Sequence, residues 1–376
     1  MSFRKIETLI SLTKGKKPLN ILQNIEDSYL PYVDIKAFET GIVDNYTDGE
    51  KCVSCNEGDL LIVCDGSRSG LVGKAITGYV GSTLARIDVS DEIDINYLYY
   101  FIQGKYQILN TNVKGTGTPH LKQDLLKSFN IYLPPIEKQK LIVAKIEELF
   151  SKLDKGVEEL NKIKEQLKIY RQAVLKEAFK SDMEYKPLGD ISFSRLGKML
   201  DKNKNRGEYR PYLRNINVRW MNFDLCELLY MKIEESELEK YTATKGDLLM
   251  CEGGEPGRCA VWNMDYDICY QKAIHRIRFN KNTNPKFYMY YFYYMAQTGE
   301  LSKYFTGMGI KHLTGESLKK VPVPILDIDD QQSILKCIEQ RLSVCEKIEQ
   351  TVNESLQKAE SLRQSILKQA FEGKLV

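Results

Sequence analysis

The chain has 376 residues, of which 43% are hydrophobic and 28% charged, with 54 Lys and Arg against 51 Asp and Glu. This length and composition indicate a globular protein of more than one domain, and they exclude disordered, collagen-like and disulfide-scaffold chains. The net charge of +3 identifies no partner by itself. No apolar signal core or membrane-length stretch occurs, and the nine cysteines are irregularly spaced, so we expect a cytoplasmic protein with reduced thiols.

Residues 1–136 have a mixed α/β pattern. The apolar run 59–64, which ends at Asp65 and Gly66, predicts a strand. The aromatic run 97–102 is compatible with either a helix or a strand. Residues 182–328 show the same mixture, with a second aromatic run at 287–294.

Residues 137–181 and 329–376 predict two long helices. In the first, apolar residues recur in steps of three or four from Ile142 to Val174, and in the second from Ile334 to Ala370. A helix of about 44 residues is about 66 Å long. Such a stripe also suits a helix packed on a globular domain, but two equal stripes favour an antiparallel coiled-coil pair that acts as a spacer.

An internal repeat organises the chain. The sequence 171–179 recurs at 363–371, 115–121 recurs at 307–313, and Gln139 matches Gln331, all at an offset of 192. Upstream, Gly58-Asp-Leu-Leu matches Gly246-Asp-Leu-Leu at an offset of 188, and Tyr29-Leu-Pro-Tyr matches Tyr209-Arg-Pro-Tyr at 180. The chain is therefore a duplicated unit whose N-terminal part varies in length. The predicted fold class is α+β: two mixed α/β domains in tandem with two long helices.

Catalytic signatures are missing from the sequence. It has no phosphate-binding loop, no dinucleotide glycine motif and no Asn/Asp-Pro-Pro-Tyr/Phe signature of an amino-methyltransferase. The pair Cys52 and Cys55 has no second pair at zinc-ribbon spacing, and three scattered histidines do not suggest a metal or nucleophile site. We expect a non-catalytic protein without a metal or cofactor of its own.

Binding signals are clearer than catalytic ones. The segment 209–220 interleaves Arg and Asn with aromatic residues, side chains that can hydrogen-bond base edges, although a solvated strand gives the same pattern. The segments 114–120 and 307–312 place glycines, a cation and a histidine together in each copy. Glycines let backbone amides approach a phosphate closely.

The order of these motifs resembles the specificity subunit of type I restriction-modification systems over essentially the whole chain. The residues that carry the resemblance are Gly-Asp-Leu-Leu in both copies, Tyr212-Leu-Arg-Asn-Ile-Asn217, the helix starts at Glu137-Lys-Gln139 and Asp330-Gln331, and the terminal 363–374. The first copy departs from the family pattern, with Asp34 where the second has the Arg-Asn run.

The resemblance implies two target-recognition domains, 1–136 and 182–328, each reading one half of a bipartite, asymmetric site in double-stranded DNA. It implies that the helices 137–181 and 329–376 set the spacer between the halves and that two methyltransferase subunits and the restriction and motor subunits are partners. S-adenosylmethionine, ATP and Mg would then belong to those partner subunits.

The candidate DNA contacts are cations, amides, hydroxyls and histidines of the motifs above. In the first copy they are Arg68, Lys74, Lys114, Thr116, Thr118 and His120, and in the second Arg214, Asn215, Asn217, Arg219, Arg258, Lys272, Lys311 and His312. We expect Arg68 and Arg258 to occupy equivalent places, although either could only solvate a loop tip. The alternative function is a coiled-coil adaptor whose two globular modules bind proteins rather than DNA.

Overall fold

The computed structural model describes residues 3–24, 28–115, 117–180, 183–201 and 203–376. The chain forms two units, Met1–Asn161 with Asn353–Val376, and Lys162–Val352, which we call unit 1 and unit 2. Each unit contains one of the two variable segments and parts of both long helices. The boundary expected at 181/182 falls on residues outside those described.

In the first copy, the described residues form ten strands and five α-helices. The strands are β1 (Phe3–Lys5), β2 (Ile10–Lys14), β3 (Leu30–Val33), β4 (Tyr46–Thr47), β5 (Ser54–Cys55), β6 (Leu60–Val63), β7 (Val72–Lys74), β8 (Gly78–Val80), β9 (Leu84–Val89) and β10 (Asn130–Tyr132). The helices are α1 (Ile35–Thr40), α2 (Ile95–Gln103), α3 (Tyr106–Thr111), α4 (Gln123–Ser128) and the long α5 (Ile136–Ala178).

The second copy repeats this order with an added hairpin. Its strands are β11 (Glu184–Pro187), β12 (Ser192–Leu196), β13 (Glu208–Leu213), β14 (Val218–Arg219), β15 (Asn222–Phe223), β16 (Leu229–Ile233), β17 (Thr242–Ala243), β18 (Leu248–Cys251), β19 (Cys259–Val261), β20 (Ile268–Tyr270), β21 (Ile274–Phe279) and β22 (Pro322–Ile325). Its helices are α6 (Leu188–Ile191), α7 (Leu238–Tyr241), α8 (Pro285–Gln297), α9 (Gly315–Lys319) and the long α10 (Ile328–Phe371).

The two units share one sheet topology. In unit 1 the sheets have the orders β2-β9-β6-β7 and β4-β3-β8-β5, and in unit 2 the orders β12-β21-β18-β19 and β16-β13-β20-β17. The first sheet of each unit is antiparallel, and the second contains one parallel pair, β3 with β8 and β13 with β20. The duplication predicted from the sequence is therefore confirmed at the level of strand order.

The predicted strand at 59–64 is β6, and both of its faces are buried. Leu60 and Ile62 join the core beneath α2, α4 and the long helices, whereas Leu61 and Val63 join the core shared with β3 and β8. Because a strand covered on both sides has no solvent face, it carries no polar residue. Strand β18 divides its side chains between two cores in the same way.

The two aromatic runs of ambiguous pattern are helices α2 and α8. Each begins with a side-chain cap, Asp94 on the backbone N–H groups of residues 96 and 97 and Asn284 on that of residue 286. Tyr97 and Tyr288 are buried, and each donates its hydroxyl proton to a backbone carbonyl of the strand before a long helix, β10 and β22 respectively. Each tyrosine is therefore held by its helix backbone at one end and by its hydroxyl hydrogen bond to a strand at the other.

A fully buried glutamine fastens each domain to the first turn of a long helix. In unit 1, Gln139 accepts a hydrogen bond from the Asp94 N–H at 2.8 Å and donates to the carbonyls of Glu92 and Pro134 at 3.0 and 2.8 Å. In unit 2, Gln331 accepts from the N–H of the equivalent cap residue Asn284 at 2.8 Å. The matching glutamines of the repeat therefore both link the first turn of a long helix to the cap of the aromatic helix.

Parts of both long helices pack together within each unit. In unit 1, Arg363 of α10 lies 4.2 Å from the ring centre of Phe150 of α5 and pairs with Asp154. In unit 2, Arg171 pairs with Glu349 at 2.6 Å, and Glu177 pairs with Arg341 at 2.7 Å. As the residue number on α5 rises from 171 to 177, that of its partner on α10 falls from 349 to 341. The helices are therefore antiparallel, as predicted.

The end of each long helix carries a phenylalanine into an aromatic cluster. Phe371 contacts Tyr97 and Phe101 edge-on at 5.0 and 5.1 Å, and Phe179 contacts Phe287 and Tyr291 at 5.4 and 5.3 Å. These contacts tie α10 to unit 1 and α5 to unit 2.

Candidate nucleic-acid interface

In unit 1 the end of β6 meets a hairpin loop, whose described residues are 114, 115 and 117–120. Lys114 and His120 exchange two backbone hydrogen bonds of 2.8 Å, and the N–H of Gly66 donates to the carbonyl of Pro119 at 2.9 Å. Gly115 has φ of +92°, and a Cβ there would lie 2.7 Å from the carbonyl oxygen of Thr118, so only glycine fits. Of the described residues between Lys114 and His120, Gly115, Gly117 and Thr118 are exposed.

Asp65 is the centre of the polar contacts at this loop. Its carboxylate holds His120 Nδ1 at 2.7 Å and Lys14 Nζ at 2.7 Å. Burial raises the pKa of Asp65, but the hydrogen bonds from Lys14 and His120 outweigh it and keep that pKa below its ordinary value. Since Nδ1 faces Asp65, Nε2 is the His120 nitrogen that remains for an outside group.

The other first-copy candidates are dispersed. Lys114 and Thr118 lie in the exposed hairpin with His120, and Arg68, in the turn after Asp65, pairs with Glu39 of α1 at 2.8 Å. In the sheet, Lys74 of β7 lies opposite Leu60, which begins β6, whereas Asp65 follows the other end of that strand. The strand register therefore keeps Lys74 away from the hairpin. Thr116 lies outside the described residues.

Unit 2 has the same hairpin at 306–312 but different side chains around it. Thr306 and His312 exchange backbone hydrogen bonds of 2.8 and 2.9 Å, and Gly253 stands in the place of Asp65. A Cβ at Gly253 would lie 2.9 Å from His312 Nδ1, so this imidazole lies against backbone instead of a carboxylate. Leu196 ends β12 where Lys14 ends β2.

Glu252 supplies the acidic group in unit 2. Its backbone is fixed from both sides, because its N–H donates to Ala273 and its carbonyl accepts from Leu313. Burial raises the pKa of Glu252, against the opposing influence of the positive charges of His312 and Lys272. Lys272 precedes Ala273 and His312 precedes Leu313, the two residues that bond to the Glu252 backbone, so Lys272 and His312 flank Glu252, and Lys311 is next to them in the hairpin.

Arg258 and Asn215 are linked to each other beside these residues. Arg258 donates to Glu255 at 2.7 Å and to the carbonyl of Asn215 at 2.8 Å, and only 13% of its side chain is exposed. A Cβ at Gly254 would lie 3.0 Å from Asn215 Nδ2, which places this amide beside the loop 252–258. Arg258 thus holds the loop, whereas the side-chain amide of Asn215 faces it.

The remaining candidates of the 209–220 segment have partners within the domain. Asn217 is buried, accepts from the Arg214 N–H at 2.8 Å and donates to two carbonyls at 2.8 and 3.0 Å, so its amide is fully used. Arg214 pairs with Glu227 at 2.9 Å. Arg219 is half exposed and 3.4 Å from Asp224.

The expected equivalence of Arg68 and Arg258 is wrong. The carbonyl of Arg258 accepts from the N–H of Cys251 at 2.8 Å, and in unit 1 the matching bond joins Leu71 to Val63 at 2.8 Å. Arg258 is therefore equivalent to Leu71, and Arg68 to Glu255. Lys114 is likewise equivalent to Thr306 and not to Lys311, because each lies across the hairpin from the histidine.

Sequence reasoning missed Asp65 and Glu252 because it selected cations, amides, hydroxyls and histidines. It missed Lys14 because this residue, at the end of β2, lies outside the motifs from which the candidates were taken. A usable signal was present. Asp65 and Glu252 directly follow the two buried strands of the Gly-Asp-Leu-Leu motifs, where a chain leaving the core presents its first polar side chains.

A search of the described residues finds no group of three His, Cys, Asp or Glu side chains that could hold a metal ion. Cys55 is buried, which raises the pKa of its thiol to about 11. Within the same ranges, no helix has the length and apolar character needed to cross a membrane.

Comparison with known proteins gives a consistent result. The family model described as "Type I restriction modification DNA specificity domain" matches residues 1–168 and again 180–358. The chain is 23% identical to the type I restriction enzyme MjaVIII specificity subunit of Methanocaldococcus jannaschii, covering 95% of this chain and 90% of that protein. It is also 23% identical to the EcoKI specificity subunit of Escherichia coli, covering 98% and 88%.

Two solved structures share the fold. One comes from work on complex assembly and conformational transition of the type I R-M system, with a TM-score of 0.80, 18% identity and coverage of 99% and 98% of the two chains. The other is the HsdS subunit from Thermoanaerobacter tengcongensis, with a TM-score of 0.63, 18% identity and coverage of 99% and 97%.

Proposed function

The chain belongs to the type I restriction-modification DNA specificity family, and from this premise we propose that each unit reads one half of a bipartite, asymmetric DNA site. One observation carries the asymmetry. The two units have the same strand order and the same hairpin, yet Lys14, Asp65 and His120 of unit 1 correspond to Leu196, Gly253 and His312 of unit 2. Different side chains on one frame present different groups to base edges.

The proposed reading surface in each unit is the hairpin and the strand end behind it. In unit 1 it comprises Lys14, Asp65, Lys114, Thr118 and His120, with Arg68 beside it. Carboxylates accept hydrogen bonds from the amino groups of bases and cations contact phosphates, so the cluster can both position and discriminate DNA. We also retain Thr116 from its place in the sequence.

In unit 2 the surface comprises Asn215, Glu252, Lys272, Lys311 and His312, with Arg219 at its margin. We leave Asn217 and Arg258 out as base contacts, because their polar atoms hold the loops that present the others. Lys74 is left out because it lies at the far end of β6. Arg214 is assigned to positioning, since it pairs with Glu227.

The proposed partners rest on the family to which the chain belongs. The relatives are specificity subunits, and this chain is a non-catalytic specificity subunit. We place two methyltransferase subunits on it, with restriction and motor subunits joining for cleavage. S-adenosylmethionine, ATP and Mg are assigned to those subunits, and helices α5 and α10 to setting the spacer. The coiled-coil adaptor is not favoured, because the family match covers both variable segments.

The experiment is a domain exchange read by methylation profiling. The chain is produced with its methyltransferase subunits, and modified adenines are mapped by single-molecule sequencing for the native chain and for one whose residues 1–136 come from another family member. We expect one half of the recognised site to change and the other to stay. Changes in both halves would contradict the assignment of one half-site to each unit.

Binding measurements on the same complex separate DNA recognition from the adaptor. Because phosphate contacts release counterions, affinity for DNA should fall steeply as salt rises. Association that is insensitive to salt and limited to proteins would favour the adaptor.

A further inference from the structure

The tip of the 306–312 hairpin carries two apolar side chains that the fold does not use. Met308 is fully exposed and Ile310 is 74% exposed. Met308 stands between Gly307 and Gly309, so no neighbouring side chain shields it. Other large apolar side chains of unit 2 are exposed too, among them Tyr209 and Tyr230, but Met308 and Ile310 are the two most exposed of this kind among the described residues.

The hairpin has a fixed conformation. Gly307 has φ of +96°, and a Cβ there would lie 2.3 Å from the carbonyl oxygen of Ile310, so the turn requires glycine. Lys311 Nζ donates to the carbonyl of Gly307 at 2.9 Å. Beyond the hairpin, Leu313 is bonded to Glu252, and buried His275 lies 3.0 Å from the carbonyl of Leu313. A preformed tip loses little conformational entropy when it binds.

The groups behind the tip are two lysines and a histidine around one partly buried carboxylate, Glu252. Lys311 and His312 belong to the hairpin itself, and the exposed Lys272 lies close enough to act on the same carboxylate as His312. An apolar tip with cations behind it complements a DNA groove, where cations meet phosphates and apolar side chains meet base edges or thymine methyl groups. Two lysines against one carboxylate give this surface a net positive charge, which suits the phosphates of DNA.

We propose that Met308 determines specificity by entering a groove of the half-site read by unit 2 and packing against its bases, with Ile310 beside it. This inference rests on the proposed function. In the sequence, the equivalent hairpin of unit 1 has threonines at 116 and 118, so the apolar contact belongs to one half-site only.

The test uses the chain assembled with its methyltransferase subunits and three variants, Met308→Ser, Met308→Leu and Tyr230→Ser. Affinity is measured by fluorescence anisotropy on a duplex with the mapped native site and on one with the unit 2 half-site scrambled. Met308→Ser should weaken binding to the native duplex about tenfold, since an apolar contact with the bases is lost. It should leave binding to the scrambled duplex unchanged.

The two other variants serve as controls. Leucine keeps the apolar volume, so Met308→Leu should stay within about twofold of the native chain. Tyr230 is exposed on strand β16, outside the hairpin. Tyr230→Ser therefore tests whether removing any exposed apolar side chain of this domain weakens DNA binding. It should leave both affinities unchanged.

Each contrary outcome has its own meaning. If the native chain prefers its site and Met308→Ser binds it equally well, the inference is overturned and the proposed function stands. Equal weakening on both duplexes, or loss of a methyltransferase subunit from the complex, would show that the tip contacts phosphates or protein and would also overturn it. If the native chain does not distinguish the two duplexes, the proposed reading of this half-site fails and the inference fails with it.

Discussion

Replacing Gln139 by leucine should destabilise unit 1 by removing the fastening between its domain and α5. The side chain is fully buried and makes three hydrogen bonds, one to the N–H of Asp94 and two to the carbonyls of Glu92 and Pro134. Leucine has a similar size, so the change removes these bonds while largely filling the space. It leaves three backbone groups without their partner.

The magnitude follows from these groups. A buried polar group left without a hydrogen bond costs about 1–3 kcal/mol. The bonds to Asp94 and Glu92 are only partly buried, so we take the low end of this range for each of the three groups and expect a total loss of about 3 kcal/mol. Gln331 makes two corresponding bonds, to Asn284 and Leu326, and Gln331→Leu should cost about 2 kcal/mol.

Urea unfolding measures the loss of stability, and hydrogen exchange of the amides at the start of α2 measures where in unit 1 the stability is lost. Exchange at residues 94–97 should accelerate more than exchange in β6. The matched control is Gln166→Leu on the exposed face of α5, which should change stability by less than about 0.5 kcal/mol. Equal unfolding midpoints for Gln139→Leu and Gln166→Leu would refute the fastening role.

Three further predictions follow from other parts of the molecule. Four residues inserted into each of α5 and α10 add about 6 Å of helix, so methylation profiling should show a longer preferred spacer, and an unchanged spacer would count against the helices as its determinant. Burial lowers the pKa of His275 from 6.5 to about 4. Because the unfolded chain binds the proton more tightly, protonation of this residue favours unfolding. The free energy of unfolding should therefore be unaffected above about pH 6.5 and fall by up to about 3 kcal/mol as the pH drops towards 4. Urea unfolding at about pH 7 and about pH 5 should therefore show a smaller difference for His275→Ala than for the native chain, and equal differences would reject this cause. Asp65→Asn should weaken binding to the native site about tenfold, because the carboxylate no longer holds Lys14 and His120, whereas Asp91→Asn on the exposed surface should bind normally; equal affinities of the two variants would show that Asp65 does not organise the site.

The elements with strong local patterns were predictable from the sequence. The apolar run of β6, the stripes of α5 and α10 and the internal repeat all follow from side-chain periodicity, which depends on neighbours along the chain. The aromatic runs of α2 and α8 were ambiguous because both faces of each run are apolar. Their caps, Asp94 and Asn284, decide for helix, and the capping bonds became visible only in the structure.

The candidate site was predictable only in part, because it depends on pairing between distant strands. The hairpin histidines follow from the repeat, but the register that separates Lys74 from His120 is set by the pairing of β7 with β6. The roles of Arg258 and Asn217 also depend on distant partners. The sequence pattern of an arginine or asparagine beside aromatic residues does not distinguish a side chain that faces a ligand from one that donates a hydrogen bond to a buried backbone carbonyl.

The change in the offset of the repeat from 180 to 188 has a structural explanation. Equivalent residues differ by 180 at β3 and β13 and by 188 at β6 and β18, and unit 2 gains its β14–β15 hairpin between these points. From His120 and His312 through the buried glutamines to Phe179 and Phe371, the offset stays at 192. This constant stretch joins the proposed reading hairpin to the helix that is proposed to set the spacer, and an added residue there would shift one against the other. On the proposed function, we therefore infer that specificity diverges by exchange of side chains on the hairpin and by longer loops upstream, while the segment that leads into each long helix keeps its length.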